Sequence, residues 1–258
     1  MNLLLSEYMR RCCKNYKPLG FRRNKQTYAR VVGDVFHRFT LVRSRSGYSC
    51  TINFAIIPLC MELPAYLDVG GYSMERFVVK KDLFRPIWTY NAASPESVNE
   101  CLDQMFSCFD KNVLSLFARV DNCETAFSEL LRLRNLFESN YYTFLALHQM
   151  TGRDVSDDRY FNTELFYIAL KTHRYEFAQK ALEARIHSGI EGKNRMINAY
   201  KNDPSFLQRW LLDYERCYKQ HSTLLEQILT GQTEKINAIL QRNENESLRT
   251  IQMFLKLR

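Results

Sequence analysis

Val35-Phe36-His37-Arg38-Phe39-Thr40-Leu41-Val42-Arg43 is the stretch that decides the fold. Val35, His37, Phe39 and Leu41 fall on one side of an extended chain, and Phe36, Arg38, Thr40 and Val42 on the other, the period of two of a β-strand. On its N-terminal side, Gln26 to Val32 reads as a first strand that runs into Gly33-Asp34, a turn short enough for a hairpin. On its C-terminal side, Ser44-Arg45-Ser46-Gly47 leads to a third alternating run. There Cys50, Ile52, Phe54 and Ile56 point inward, and Thr51, Asn53, Ala55 and Ile57 outward. Short connections between three such strands predict an antiparallel meander with one buried face. Arg76-Phe77-Val78-Val79-Lys80 and Ile87-Trp88-Thr89-Tyr90 are candidate fourth and fifth strands.

Helical periodicity flanks this sheet. Leu4, Leu5, Tyr8, Cys12 and Tyr16 predict an amphipathic first helix that stops at Lys17-Pro18-Leu19-Gly20, with Lys14 and Lys17 at its C-terminal end, where cations suit the dipole. Ser94-Pro95-Glu96-Ser97 opens a helix whose stripe runs through Val98, Leu102, Met105, Phe106, Phe109, Val113, Leu116 and Phe117. Ala126 to Phe137 predicts another, and Tyr142 to His148 a further one. The expected class is therefore α+β: an N-terminal helix and an antiparallel sheet covered by helices, followed by an all-helical C-terminal part.

The polar segment Thr151-Gly152-Arg153-Asp154-Val155-Ser156-Asp157-Asp158 is the candidate linker between an α+β domain over 1–150 and a helical domain over 151–258. Its aspartates lack calcium-loop spacing, because Arg159 takes the glycine position and Leu165 that of the bidentate glutamate. Beyond it, Leu165, Ile168 and Ala169 precede a turn at Thr172-His173-Arg174, then Phe177, Ala178, Ala181 and Leu182. Leu224, Leu225, Ile228 and Leu229 likewise precede Gly231-Gln232-Thr233, then Ile236, Ala238, Ile239 and Leu240. Two such units faintly resemble ankyrin-type or tetratricopeptide hairpins, but plain paired helices are the simpler expectation.

With 258 residues, 46% of them hydrophobic and 13% aromatic, the chain has the material for a sizeable core, which excludes a disordered protein. No apolar run approaches the ~20 residues of a membrane span, and the first residues lack the basic leader and apolar length of a signal peptide. Eight cysteines without an export signal predict free, mostly buried thiols in reducing cytosol. No C-x-x-C is present, and Cys101 and Cys108 lie two helical turns apart, so neither a metal nor another cofactor is expected.

Phosphate loops, dinucleotide fingerprints, nucleophile elbows and zincin motifs are all missing from the sequence. The five histidines are scattered; His37, on the presumed core face, is expected to be a packed imidazole bonded to backbone. Cys12 follows Arg10-Arg11 but lies on the first helix's apolar stripe, so packing is expected there too.

Charge gives the positive signal. The chain carries a net +8, yet residues 1–60 hold eight Arg and three Lys against only Glu7 and Asp34, a net +9. A concentrated positive field favours anionic partners. Arg22, Arg23, Tyr28, Arg30, Arg43 and Arg45 form the candidate partner site, with Arg22 and Arg23 expected to approach Arg43 and Arg45 at one end of the sheet. Guanidinium forks suit carboxylates and phosphates, and Tyr28 would be placed to stack on a base. Acidic groups from later helices could instead neutralise the arginines.

Lys17-Pro18-Leu19-Gly20-Phe21-Arg22-Arg23, Thr27-Tyr28-Ala29-Arg30, Ser44 and Thr51-Ile52-Asn53-Phe54 together resemble the bacterial domain family of unknown function numbered 4304. The resemblance spans at most residues 1–140 and is specific over about the first 60. The chain departs from the family pattern at Ala29, where a second aromatic is frequent, and at Arg43, where a glutamine precedes the serine. The resemblance implies an α+β domain of bacterial origin and carries no activity with it.

These readings lead to a non-catalytic binding protein whose basic sheet region engages an acidic protein or other anion. A role in bacterial immunity or defence is an analogy with other small bacterial domains. The alternatives are RNA or DNA binding through the same arginines, and an enzyme with an unfamiliar site around His37 or Asn53.

Overall fold

The computed structural model describes residues 3–62, 71–79, 86–148 and 163–256; the candidate linker Thr151–Asp158 lies outside them. Helix α1 (Leu3–Asn15) buries Leu4, Tyr8 and Cys12, one side chain per turn. A 3-10 turn over Lys17–Leu19 closes it, and Gly20 at φ 86° swings the chain into the sheet.

Strands β1 (Arg22–Asn24), β2 (Thr27–Val32), β3 (Val35–Arg43), β4 (Cys50–Pro58) and β5 (Tyr72–Ser73) lie side by side in chain order, each antiparallel to the next. The meander is as the alternation predicts, but its outer strands are not. Arg76-Phe77-Val78-Val79 is not a strand. A 3-10 turn occupies Met74–Phe77, entered through Ser73, whose hydroxyl accepts from Glu75 N. Lys80 lies outside the described residues. Ile87–Tyr90 forms no strand either: it follows the β3–β4 turn through one bridge, Thr89 to Ser49, and through Cys50 N to Trp88 O and Tyr90 N to Tyr48 O.

Helix α2 (Pro95–Cys108) starts where Ser94 accepts from Ser97 N at 3.1 Å. It passes through a π-helical turn over Phe109–Leu114, where Asn112 Nδ2 donates to Cys108 O, into α3 (Ser115–Arg119). Helix α4 (Cys123–Leu147) is one element where the sequence suggested two, since its stripe runs on from Phe137 to Leu145. Short turns join α5 (Thr163–Lys171), α6 (Tyr175–Ala199), α7 (Pro204–Leu229) and α8 (Thr233–Phe254).

The sheet is buried on both faces, not one. Tyr28, Phe39, Phe54 and Ile56 meet the helices before residue 120, with Tyr8, Tyr16, Phe106, Phe109 and Phe117 in the same cluster. On the opposite face Ala29, Phe36, Ala55 and Ile57 pack with Ile251 and Leu255 of the last helical segment. Three side-chain bonds fasten α8 there: Asn243 Nδ2 to Cys60 O, Ser247 Oγ to Met61 O, and Asn24 Nδ2 to Phe254 O. Alternation with Arg38, Thr40 and Thr51 made that face look solvated. A helix more than 180 residues later in the chain covers it. Among the described residues no helix is long and apolar enough to cross a membrane.

Candidate functional site

The strands differ in length, and the difference makes a notch. Pairing of β2 with β3 ends at Thr27 opposite Thr40, whereas pairing of β3 with β4 continues to Arg43 opposite Cys50. The backbone of Leu41, Val42 and Arg43 therefore has no strand beside it on the β2 side. A cavity of about 450 Å³ opens there, lined by Gln26, Thr40, Leu41, Val42, Arg43, Ser44, Arg45, Gly47 and Tyr90. The β3–β4 turn holds its rim: Ser44 N donates to Ser49 O, Gly47 N to Ser44 O, and Ser49 N to Ser44 Oγ.

Arg43 and Arg45 are exposed, and no carboxylate of the described residues lies within ion-pair distance of either. Burial raises the Tyr90 hydroxyl pKa, and the nearby Arg43 charge works in the opposite direction. The lining offers guanidinium, amide and hydroxyl donors and an open strand edge, with no carboxylate, imidazole or thiol among its side chains. Such a set can hold an anion; it contains no nucleophile–base pair.

The remaining candidate residues lie elsewhere. A two-residue turn at Lys25-Gln26 folds β1 back along β2, placing Arg22 opposite Ala29 and Arg23 opposite Tyr28. Both arginines are thus level with Arg38 and Phe39 in mid-sheet, not with Arg43 and Arg45 at its end. Arg23 reaches Met9 Sδ at 3.5 Å across the first face, while Arg22 is on the α8 face. The four-arginine cluster expected from the sequence does not form, because that reading had no strand before Gln26.

Tyr28 is 1% exposed: its hydroxyl donates to Met9 O and its ring stacks on Phe39 at 5.4 Å. It cannot offer a face to a base in this fold. Arg30 pairs across from His37, lies 4.6 Å over the Phe21 ring and donates to Leu19 O. Arg10 and Arg11 are neutralised at Glu7, and Arg11 also reaches Asp103 on α2. That pairing holds the Glu7 carboxyl at about 2, through Arg10 first and Arg11 second, against the opposing effect of burial.

His37 is enclosed, parallel to Phe117 at 4.5 Å, and its Nδ1 accepts from Arg30 Nε at 3.4 Å. Burial, then the Arg30 charge, push its pKa down to about 3, so the ring is neutral at physiological pH. Arg38 is 1% exposed on the second face, and its charge reaches the Glu164 carboxyl, whose pKa burial raises. Asn53 stands in a polar row with Thr27, Thr40 and Ser73 across the same face.

Sequence reasoning missed Gln26, Thr40, Ser44, Gly47 and Tyr90 as neighbours of Arg43 and Arg45. The signal was present in Lys25-Gln26, a polar pair between Arg22-Arg23-Asn24 and the first strand, since so short a turn leaves β3 longer than its partner. Five thiols (Cys12, Cys50, Cys60, Cys101 and Cys123) are buried, and Cys50 and Cys101 Sγ atoms lie 3.7 Å apart. Among the described residues no three His, Cys, Asp or Glu side chains are grouped as metal ligands.

No protein-family model, curated protein or solved structure matches the chain.

Proposed function

We propose that this protein is a binding module whose notch at the end of β3 takes an acidic segment of a partner protein. One observation carries the reading: Arg43 and Arg45 flank an unpaired strand edge with no carboxylate of the described residues within reach. An extended chain adding to that edge gains main-chain hydrogen bonds, while its carboxylates meet two guanidinium forks. Burial of Tyr28 in the core supports a protein partner over a nucleic acid, since it removes the base-stacking platform that the sequence suggested.

Fluorescence anisotropy with a labelled glutamate-rich peptide tests this, with labelled single-stranded RNA as the competitor class. R43S/R45S should weaken peptide binding about tenfold or more, on the order of two charge-assisted bonds. R22S/R23S, in mid-sheet, should leave it unchanged. Equal peptide binding by the R43S/R45S protein, or binding of the RNA alone with a steep salt dependence, would overturn the proposal.

A further inference from the structure

Helices α6 and α7 extend beyond the body of the protein as a two-helix arm. From Glu183 to Thr223 no residue is buried, although Leu182 and Leu224, which bracket the segment, both are. At 1.5 Å per residue, the part of α6 beyond Leu182 extends roughly 25 Å. An ordinary surface helix buries an apolar stripe against its own domain. This arm exposes one.

The stripe spans both helices. Along α7, Trp210, Tyr214 and Tyr218 stack in a column, with ring centroids 5.6 and 5.9 Å apart. Opposite it α6 is narrow: a Cβ on Gly189 would stand 3.5 Å from the Tyr214 ring. Lys193 places its Nζ 5.2 Å over that same ring and lies between Ile190 and Ile197 on one ridge of α6. Ile190 and Ile197 are 43% and 38% exposed, and Tyr218 40%. An isoleucine ridge on α6 and an aromatic column on α7 thus run along the same arm.

Charge selects the occupant. Residues 183–223 carry a net +2. Their carboxylates are largely engaged: Asp213 with Arg216, Glu191 beside His187, and Asp203 at the Phe206 N–H that opens α7. Lys193, Arg195, Lys201, Arg209 and Lys219 have no carboxylate of the described residues within ion-pair distance. A second copy would bring these cations against each other. We infer that the α6–α7 arm is a docking surface for an amphipathic helix of a partner protein, apolar on the side it lays against the isoleucine ridge and acidic along its flanks. Such a helix completes a three-helix layer and supplies the missing counter-charges.

Trp210 stands in the aromatic column of the arm, and Trp88, the other tryptophan, is buried in the core, so W88F makes emission a local reporter. The probes are synthetic leucine–glutamate and leucine–lysine heptad peptides of about 21 residues. The glutamate peptide should shift Trp210 emission and bind, with affinity at least tenfold lower for I190S/I197S, whose altered side chains are already exposed and whose circular dichroism should match the parent. R43S/R45S should bind it unchanged, which separates this surface from the notch. Equal binding of the lysine peptide, or indifference to I190S/I197S, would overturn the assignment. So would a dimer in analytical ultracentrifugation that I190S/I197S dissociates, since the occupant would then be a second copy.

Discussion

Protonation of His37 should be among the main routes by which acid unfolds this protein. The imidazole is enclosed between β3 and α3, flat against Phe117, with the Arg30 guanidinium of β2 at its Nδ1. A proton arriving at Nδ1 would displace that hydrogen bond and set two cations side by side. The folded pKa of about 3 lies below the ordinary 6.5. Between those values the unfolded chain binds a proton that the folded chain refuses, so stability rises with pH across the window and is lost as pH falls from 6.5 towards 3. Each pH unit in the middle of the window is worth about 1.4 kcal/mol, which gives a loss of about 2.5 kcal/mol from this one group between pH 7 and 4.5. Against a total stability of about 5–15 kcal/mol that is a large share. The measurement is urea unfolding at pH 7, 6, 5 and 4.5 for the parent and for H37F, which keeps an aromatic ring against Phe117 and cannot titrate. Glu7, held at about 2, loses its own contribution progressively from about pH 5.5 downwards, and because it is present in both proteins it cancels in the comparison. The H37F curve should be flatter by about 2.5 kcal/mol over this range. Parallel curves would show that the imidazole does not resist protonation, and the enclosure argument would fail.

Two further perturbations address the frame. Gly33 sits at φ 55° in the β2–β3 turn, and a Cβ there would lie 2.1 Å from the Asp121 carbonyl oxygen, whereas Gly47 at φ 75° faces open space. Gly47→Ala should cost only the left-handed backbone penalty of about 1–3 kcal/mol, and Gly33→Ala clearly more; equal shifts in urea midpoint would contradict the close approach of the turn to Asp121. Removing the Ser247 or Asn243 side chain leaves a buried carbonyl of Met61 or Cys60 without its partner, at about 1–3 kcal/mol each. Because both bonds hold α8 to the same short segment, the double alanine variant should lose less than the sum of the singles. Strict additivity in the mutant cycle would mean the two bonds act independently.

The centre of the sheet was legible because its signals are local. Val35 to Arg43 alternates, Gly33-Asp34 turns, and Ser94 caps, each within a few positions of the residues it organises. What escaped the sequence is non-local. Ala29, Phe36, Ala55 and Ile57 read as the outward side of an amphipathic sheet, and only Ile251 and Leu255 make that side a second core. Their interleaving with Arg38, Thr40 and Thr51 hid them, since polar residues on a face are normally solvated. Register failed for a similar reason. The three residues of β1 are Arg, Arg and Asn, a composition with no strand propensity to detect, and their pairing depends on the turn at Lys25-Gln26.

The charge count shows why a window on the sequence misjudges a surface. The N-terminal excess is real, yet Arg10 and Arg11 serve the α1–α2 contact, Arg30 lies over Phe21 at the edge of the core, and Arg38 is enclosed under the second layer. Those cations stabilise the fold and are not offered to a partner. The remaining 198 residues are close to neutral in total, but that neutrality averages an acidic remainder with an arm of net +2. A partner encounters neither average; it meets the cations left over after folding has used the others. By that criterion two exposed sets remain prominent, Arg43 with Arg45 at an open strand edge, and the cations of the α6–α7 arm beside exposed isoleucines. They differ in the backbone they would accept, an extended chain at the first and a helix at the second. A single acidic ligand should therefore separate them by its conformation alone.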